Sequence, residues 1–130
     1  MNVYCIQAGR KGDIKIGKAK DPVARIKNMQ TGSSKELFLL QVIPCESERA
    51  AYKLESELHH TLRRSRTHGE WFRPDKGLAL YLHYVASKEY TRAEEVLKGY
   101  HAELTKRATK ARISRRNRNK WYHIEQASSK

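Results

Sequence analysis

Two side chains in the middle of the sequence have the types and the spacing that could support metal-assisted hydrolysis of a phosphate ester. Glu55 and His59 are four residues apart, so on a helix both project from one face. A carboxylate can hold one Mg²⁺ that keeps most of its waters. A histidine can position a phosphate or protonate a leaving oxygen near neutral pH. Glu55 is therefore the candidate metal ligand. The ordinary alternatives are a solvated glutamate, as Glu57 is two residues away, and a packed histidine.

Three side chains nearer the N-terminus could complete such a site. Tyr4 could orient or deprotonate a water, although a phenol with an ordinary pKa of about 10 needs nearby cations to act as a base. Lys15 could supply that charge, hold a phosphate or be the base itself, so the choice between the two stays open. Arg25 has a planar guanidinium that suits two-point phosphate contact. A plain strand tyrosine and a surface arginine are the alternatives.

The elements that must position these side chains follow from apolar periodicity and from turn and cap signals. Asp21-Pro22 suits the start of a helix, as does Ser47. In chain order we predict strands at 2–8 and 13–17, a helix ending at 31–34, a central strand at 36–43, a helix at 47–65, a short strand at 70–72, and helices from about residues 75 and 88. This order predicts an α/β fold with a small three-stranded mixed sheet flanked by helices.

The charge distribution predicts a second functional part. The net charge is +13, and residues 101–130 carry nine Lys or Arg against two Asp or Glu. A field of this sign attracts polyanions, and nucleic acid is the expected partner. We predict a domain at 1–86 and a basic helical DNA-binding extension at 87–130. The predicted nucleic-acid contacts are Lys18, Lys106, Arg107, Lys110, Arg112, Arg115, Arg116, Arg118 and Lys120.

Composition also argues against other classes of protein. No run of 18 or more apolar residues is present, and the first residues do not resemble a secretory signal, so we expect a cytoplasmic protein and no membrane partner. Cys5 and Cys45 lack metal-site spacing, and we interpret them as free thiols. Trp71 and Phe72 are interpreted as core residues rather than as surfaces for base stacking. Two roles for Glu70 stay open: it could form an ion pair with a cation on a helix, or it could lie near the candidate site.

An ordered set of motifs resembles the GIY-YIG nuclease superfamily, and more closely its branch named after a phage T5 reading frame. Its pieces are Val3-Tyr4, Lys15-Ile16-Gly17, Asp21-Pro22, Arg25, Gln30-Thr31-Gly32, Glu55 to His59, and Gly69-Glu70-Trp71-Phe72. The resemblance covers residues 2 to about 73. The sequence departs from the superfamily by having Lys15 where the name motif has Tyr, and by lacking an Asn between Glu55 and residue 116.

The resemblance implies an Mg²⁺-dependent (or Mn²⁺-dependent) endonuclease from a phage or mobile element. It would cut or nick double-stranded DNA, with Tyr4, Lys15, Arg25, Glu55 and His59 in the active site. One such site hydrolyses one strand at a time, so a double-strand break needs two events or a dimer on DNA. The alternatives are a non-catalytic DNA-binding module that keeps the nuclease fold, and a basic RNA- or ribosome-associated protein.

Overall fold

The computed structural model describes the backbone of residues 1–128 and the side chains of residues 1–118. In chain order the elements are β1 (Asn2–Ala8), β2 (Ile14–Ala19), α1 (Pro22–Gln30), β3 (Leu37–Pro44), α2 (Glu48–Thr61), a 3₁₀ turn (Arg63–Ser65), β4 (Arg66–His68), β5 (Trp71–Phe72), α3 (Leu78–Ala86) and α4 (Tyr90–Ser128). The predicted starts of the first two helices are confirmed. Asp21 accepts a hydrogen bond from the Ala24 amide, and Ser47 accepts one from the Ala50 amide.

The sheet has five strands in the order β3-β1-β2-β5-β4, and every neighbouring pair is antiparallel. The prediction of a three-stranded mixed sheet is therefore wrong, although the α/β class is right. The missed strand is Arg66–His68, whose side chains are all exposed and polar. It pairs with a strand of only two residues, so neither has the apolar alternation that identifies a strand.

The apolar run that we expected to form the central strand lies instead at an edge of the sheet. β3 pairs only with β1, with a register shift at Cys5 and Ile6. Both faces of β3 carry apolar side chains, but Leu39 and Val42 stay about two-fifths exposed, at 40% and 38%. The prediction that this run forms the central strand, which rested on its hydrophobicity, is therefore wrong. β1 has strands on both sides because a tight turn pairs it with β2, and α1, which follows β2, returns the chain to the other side of β1 as β3.

Helices cover the two faces of the sheet unequally. On one face, Val3, Cys5, Ile14 and Ile16 belong to the main core with residues of α2, α3 and α4. On the other face, α1 covers a smaller cluster built on Tyr4, Ile6 and Leu37. Cys5 and Cys45 are free thiols, as predicted. No helix of the described residues is long and apolar enough to cross a membrane.

The long helix α4 has two parts with different surroundings. Its first part belongs to the main core, where Ala93, Tyr100 and Leu104 are buried. From residue 105 to residue 118 every side chain is exposed. The predicted extension at 87–130 thus begins with a segment that packs against the domain at 1–86, and only its later part projects.

A buried polar cluster fastens α4 to the segment after α2. The hydroxyls of Ser65 and Tyr100 are 2.5 Å apart, and Ser65 also donates a 2.5 Å hydrogen bond to Asp75. Asp75 in turn pairs with Arg73 and Arg107, each at 3.3 Å. A buried polar group that lacks a hydrogen-bond partner destabilises the folded protein. The cluster therefore favours the one position of α4 in which all of these groups are paired. It is called the clamp below.

Candidate active site

Tyr4 and Gly17 are cross-strand partners at the centre of the β1–β2 ladder. Tyr4 is only 1% exposed, and its ring belongs to the small cluster under α1. A Cβ atom at Gly17 would lie 2.7 Å from Tyr4 Oη and 3.2 Å from Glu70 Oε2. The bare backbone at Gly17 therefore lets a phenol and a carboxylate converge on one point of the sheet.

Lys15 lies two residues before Gly17 and on the same face of β2. Its Nζ is 3.6 Å from Glu70 Oε2 and 3.9 Å from Met29 Sδ of α1. The side chain of Lys15 is largely buried, whereas that of Glu70 is 43% exposed. Glu70 follows the turn at Gly69, and its backbone carbonyl accepts a hydrogen bond from Ile16 at 3.0 Å. The lysine is thus held beside a carboxylate that remains open to solvent.

Glu55 projects from α2 towards this same carboxylate. Its side chain is 13% exposed. Burial, followed by the hydrogen bond and the charge of Glu70, raises the pKa of Glu55 to about 7, against the opposing charges of Lys18 and Lys15. The Oε2 atom of Glu55 is buried and has no hydrogen-bond donor among the described residues. Two adjacent carboxylates with one oxygen unpartnered require a shared proton or a cation.

This pair of carboxylates fits a hard divalent cation. Mg²⁺ prefers oxygen ligands, and it is usually bound through one or two carboxylates with several retained waters. Glu55 and Glu70 supply that donor set. Within the described residues, no cluster of three or more His, Cys, Asp or Glu side chains could enclose a metal. The donor set is therefore typical of an open, hydrated ion, not of a closed structural site.

His59 is fixed by contacts with the protein. Its Nε2 is 2.8 Å from the carbonyl oxygen of Ile16 and 3.8 Å from Glu55 Oε1, and its ring meets Phe72 edge to face at 5.1 Å. A carbonyl oxygen can only accept, so Nε2 carries the proton of this bond. The geometry gives His59 a positioning contact between α2 and β2. Its predicted catalytic role remains a prediction.

The other predicted cations differ in their surroundings. Arg25 is exposed, and no described side chain pairs with it. It is four residues before Met29, so it shares the α1 face that contacts Lys15. Lys18 lies over the ring of Tyr52, with Nζ 4.9 Å from the centroid, and its charge reaches Glu55. Lys18 therefore lies near the carboxylate pair, whereas Arg25 lies on the helix that covers Lys15.

The basic side chains of α4 fall into two groups. Arg107 is engaged by the clamp residue Asp75 and by Glu103, at 3.3 and 3.5 Å. Lys120 lies outside the residues whose side chains are described. The remaining predicted contacts all project into solvent: Lys106, Lys110, Arg112, Arg115, Arg116 and Arg118.

The sequence left the role of Glu70 open between two alternatives and gave Gly17 no role of its own. Glu70 reaches the site because β5 pairs with β2, with Trp71 opposite Lys15. The short strand at 70–72 was predicted, but its pairing partner was not. Gly17 was identified only as part of the Lys15-Ile16-Gly17 motif, with no physical role. Its signal was available, since a glycine inside a strand often marks a close approach of another group.

Fold and site together define a small α/β domain in which two carboxylates, a lysine and a phenol lie near Gly17 of β2. Residues 1–82 match the family model of the T5orf172 domain. The chain therefore belongs to the T5orf172 domain family. No curated protein and no solved structure matches the chain.

Proposed function

We propose that the protein is a metal-dependent endonuclease of the GIY-YIG type that hydrolyses phosphodiester bonds of DNA. The observation that carries the proposal is the buried, unpartnered oxygen of Glu55 beside Glu70. A buried, ionised carboxylate without a partner destabilises the folded protein unless a cation or a proton is bound. The surrounding cations, Lys15 and Lys18 in particular, match a negatively charged substrate.

Each residue of the site has a role that follows from its position. Glu55 and Glu70 would hold Mg²⁺ or Mn²⁺, which when bound neutralises phosphate charge and lowers the pKa of a coordinated water. Tyr4 Oη, beside Gly17, orients the attacking water. Lys15, already paired with Glu70, holds a phosphate oxygen as an ammonium. Arg25 is exposed and unpaired among the described residues, so its guanidinium is available for the charge that develops on the phosphate.

The hydrolysis balances without any further reactant. A water oxygen forms a bond to phosphorus, and the bond from phosphorus to the leaving sugar oxygen breaks. The water proton passes to a base at the site, and the leaving oxygen takes up a proton. Tyr4 and Lys15 are the two candidates for the base. Because Lys15 is held as an ion pair with Glu70, the geometry favours Tyr4 as the group that handles the water.

The exposed basic side chains of α4 other than Arg107 would hold the DNA, namely Lys106, Lys110, Arg112, Arg115, Arg116 and Arg118. Contacts of lysine and arginine with phosphates are independent of base sequence and sensitive to salt. The proposed substrate is double-stranded DNA in the cytoplasm or nucleoid, cut one strand at a time, or on both strands by a dimer. An origin in a phage or mobile element is part of the proposal and rests on the family.

A second candidate is a DNA-binding module that has no catalytic activity. The observation that favours it is the burial of Tyr4, at 1% exposure, because a base must reach its water. Such a module would need Arg25, Lys15 and the exposed part of α4, but it would not need Glu55.

Conversion of supercoiled plasmid tests the two candidates. We expect nicked or linear product with Mg²⁺ and none with EDTA, and a loss of at least about 100-fold in Glu55→Gln. Glu57→Gln is the matched control, since Glu57 is an exposed glutamate on the same helix. DNA from several sources should be used, as a specific enzyme ignores an arbitrary plasmid. Tight, salt-sensitive binding with no cleavage of any DNA would favour the binding module.

A further inference from the structure

A groove of about 1000 Å³ opens on the α1 face of the sheet, beside the candidate active site. Its apolar floor includes Met29, Leu37 and Trp71. Its rim comes from the turn between β1 and β2 and from the segment that links α1 to β3, which includes Ser33 and Lys35. None of the residues assigned above to catalysis lines it.

The groove shares a wall with the reactive centre. Trp71 is the ladder partner of Lys15 in the β2–β5 pair, and Met29 Sδ is 3.9 Å from Lys15 Nζ. A nucleotide whose phosphate contacts Lys15 therefore has its sugar and base within reach of the groove, since a base extends only several ångströms from its own phosphate.

The lining has the chemistry that a nucleobase requires. Trp71 is partly exposed, whereas its neighbour Phe72 is fully buried in the main core. An indole face stacks on any base, with an effect of about 5- to 150-fold on affinity. Asn28 offers a side-chain amide for base edges, and the lining carries the charges of Lys11, Lys35 and Asp13, with the cations in excess.

The rim is held in place before any ligand binds. Gln30 accepts a hydrogen bond from the Leu37 amide at 2.9 Å and donates another to the Lys35 carbonyl at 2.9 Å. The Ser33 hydroxyl also donates to the Lys35 carbonyl, at 2.9 Å. The Gln30-Thr31-Gly32 motif thus has a structural role, because it fixes the loop that borders the groove. A preformed site loses less entropy on binding.

We propose that this groove takes an unpaired nucleobase of the DNA strand next to the phosphate at the active site, with Trp71 as the stacking surface. This inference rests on the proposed nuclease function. Extrusion of a base from an intact duplex opposes binding, and this cost is smallest for a mismatched or already unpaired base. DNA with a bulge or flap at the cleaved position is therefore the preferred substrate.

The test compares a duplex that carries one unpaired nucleotide with the fully paired duplex of the same sequence. In Trp121→Phe, Trp71 is the sole tryptophan of the chain. We expect quenching of its fluorescence by the bulged duplex, and affinity about 5- to 100-fold higher than for the paired duplex. Glu55→Gln is included so that the DNA stays intact during binding.

Substitutions separate stacking from folding. Trp71→Phe keeps an aromatic face and should keep most of the preference. Trp71→Leu keeps apolar packing and should abolish the preference, so that the two duplexes bind alike. Tyr90→Ala, at an exposed aromatic outside the groove, should leave the ratio unchanged. The ratio is the readout because a purely structural role of Trp71 would lower both affinities equally.

Three outcomes would overturn the proposal: equal affinity of the wild type for both duplexes, no quenching by the bulged duplex, or an unchanged preference in Trp71→Leu. These binding outcomes are distinct from a failure of the nuclease proposal. If no DNA is cleaved and the bulge preference still depends on Trp71, the groove assignment stands and the catalytic assignment falls.

Discussion

Tyr4 reaches the candidate active site through the space left by the missing side chain of Gly17. The two residues are directly opposed on β1 and β2, and a Cβ at Gly17 would be 2.7 Å from Tyr4 Oη and 2.8 Å from Cζ. Since the ring of Tyr4 is buried, it has little room to withdraw. The glycine of the motif is thus required by close packing of a functional group.

Gly17→Ala should displace the Tyr4 hydroxyl and reduce DNA cleavage by about 100-fold or more. We expect an intact far-ultraviolet circular dichroism spectrum and a modest drop in Tm. Gly99→Ala is the matched control, because a Cβ there meets nothing within 4 Å. Gly99 lies in α4, so alanine should raise Tm slightly through helix propensity. Full activity of Gly17→Ala would contradict the role given to Tyr4.

Without metal, the free energy of unfolding should fall as the pH rises from about 4.5 to about 7. The pKa of Glu55 is raised to about 7 in the folded protein. The folded protein therefore holds a proton that the unfolded chain has lost, and stability is greatest below the unfolded pKa. We expect a change on the order of 1–2 kcal/mol, after screening by solvent.

Urea denaturation in EDTA across this pH range measures the effect. Glu55→Gln should flatten the profile between about pH 4.5 and pH 7. Mg²⁺ should stabilise the wild type more at pH 8 than at pH 5, because only the ionised carboxylate binds it. A wild-type profile as flat as that of Glu55→Gln would be inconsistent with a carboxylate pair.

Glu70→Gln should weaken Mn²⁺ binding by about 10- to 100-fold and lower the cleavage rate at a fixed metal concentration. The physical reason is that Glu70 is the second charged oxygen donor beside Glu55. Excess metal should restore part of the rate. Calorimetric titration with Mn²⁺ measures the affinity, and Glu46→Gln, at an exposed position, serves as the control. Unchanged Mn²⁺ affinity would remove Glu70 from the metal site.

Replacement of Lys110, Arg112, Arg115 and Arg116 by glutamine should weaken DNA binding. Each lost phosphate contact reduces the slope of log affinity against log salt by about 0.9, so the total reduction should be about three to four. Arg107→Gln is the informative comparison, since Arg107 pairs with Asp75. It should lower Tm and change the salt slope little. A slope that is the same in the fourfold variant and the wild type would exclude this part of α4 from the DNA contact.

The features that sequence predicted well are those encoded locally. Asp21-Pro22 and Ser47 start helices because their side chains or rings satisfy the first turn without distant partners. Glu55 and His59 share a face of α2 because of helical spacing alone. The family resemblance likewise used short motifs in order, and its T5 reading-frame part agrees with the match to the T5orf172 domain family over residues 1–82.

The features that sequence missed depend on pairing between distant segments. The exposed strand Arg66–His68 exists because it pairs with Trp71–Phe72, which in turn pairs with β2. That second pairing also carries Glu70 to the site and places Trp71 beside Lys15. The edge position of β3 is another long-range outcome, since an apolar run has the same sequence pattern at the centre and at the edge.

The clamp residues Ser65, Asp75 and Tyr100 fix one end of the projecting part of α4, so that the length of the helix sets the distance and angle of each later side chain. The segment between Ser65 and Asp75 carries Glu70, so the same stretch of chain anchors both the helix and the reactive centre. Residues 105–118 rise about 1.5 Å each, or roughly 20 Å in all, the length of about six base pairs. Deletion of one residue there would rotate every later side chain by about 100°. In the proposed nuclease, the number of residues in this part of α4 therefore sets the angle between the DNA-binding side chains and the candidate active site.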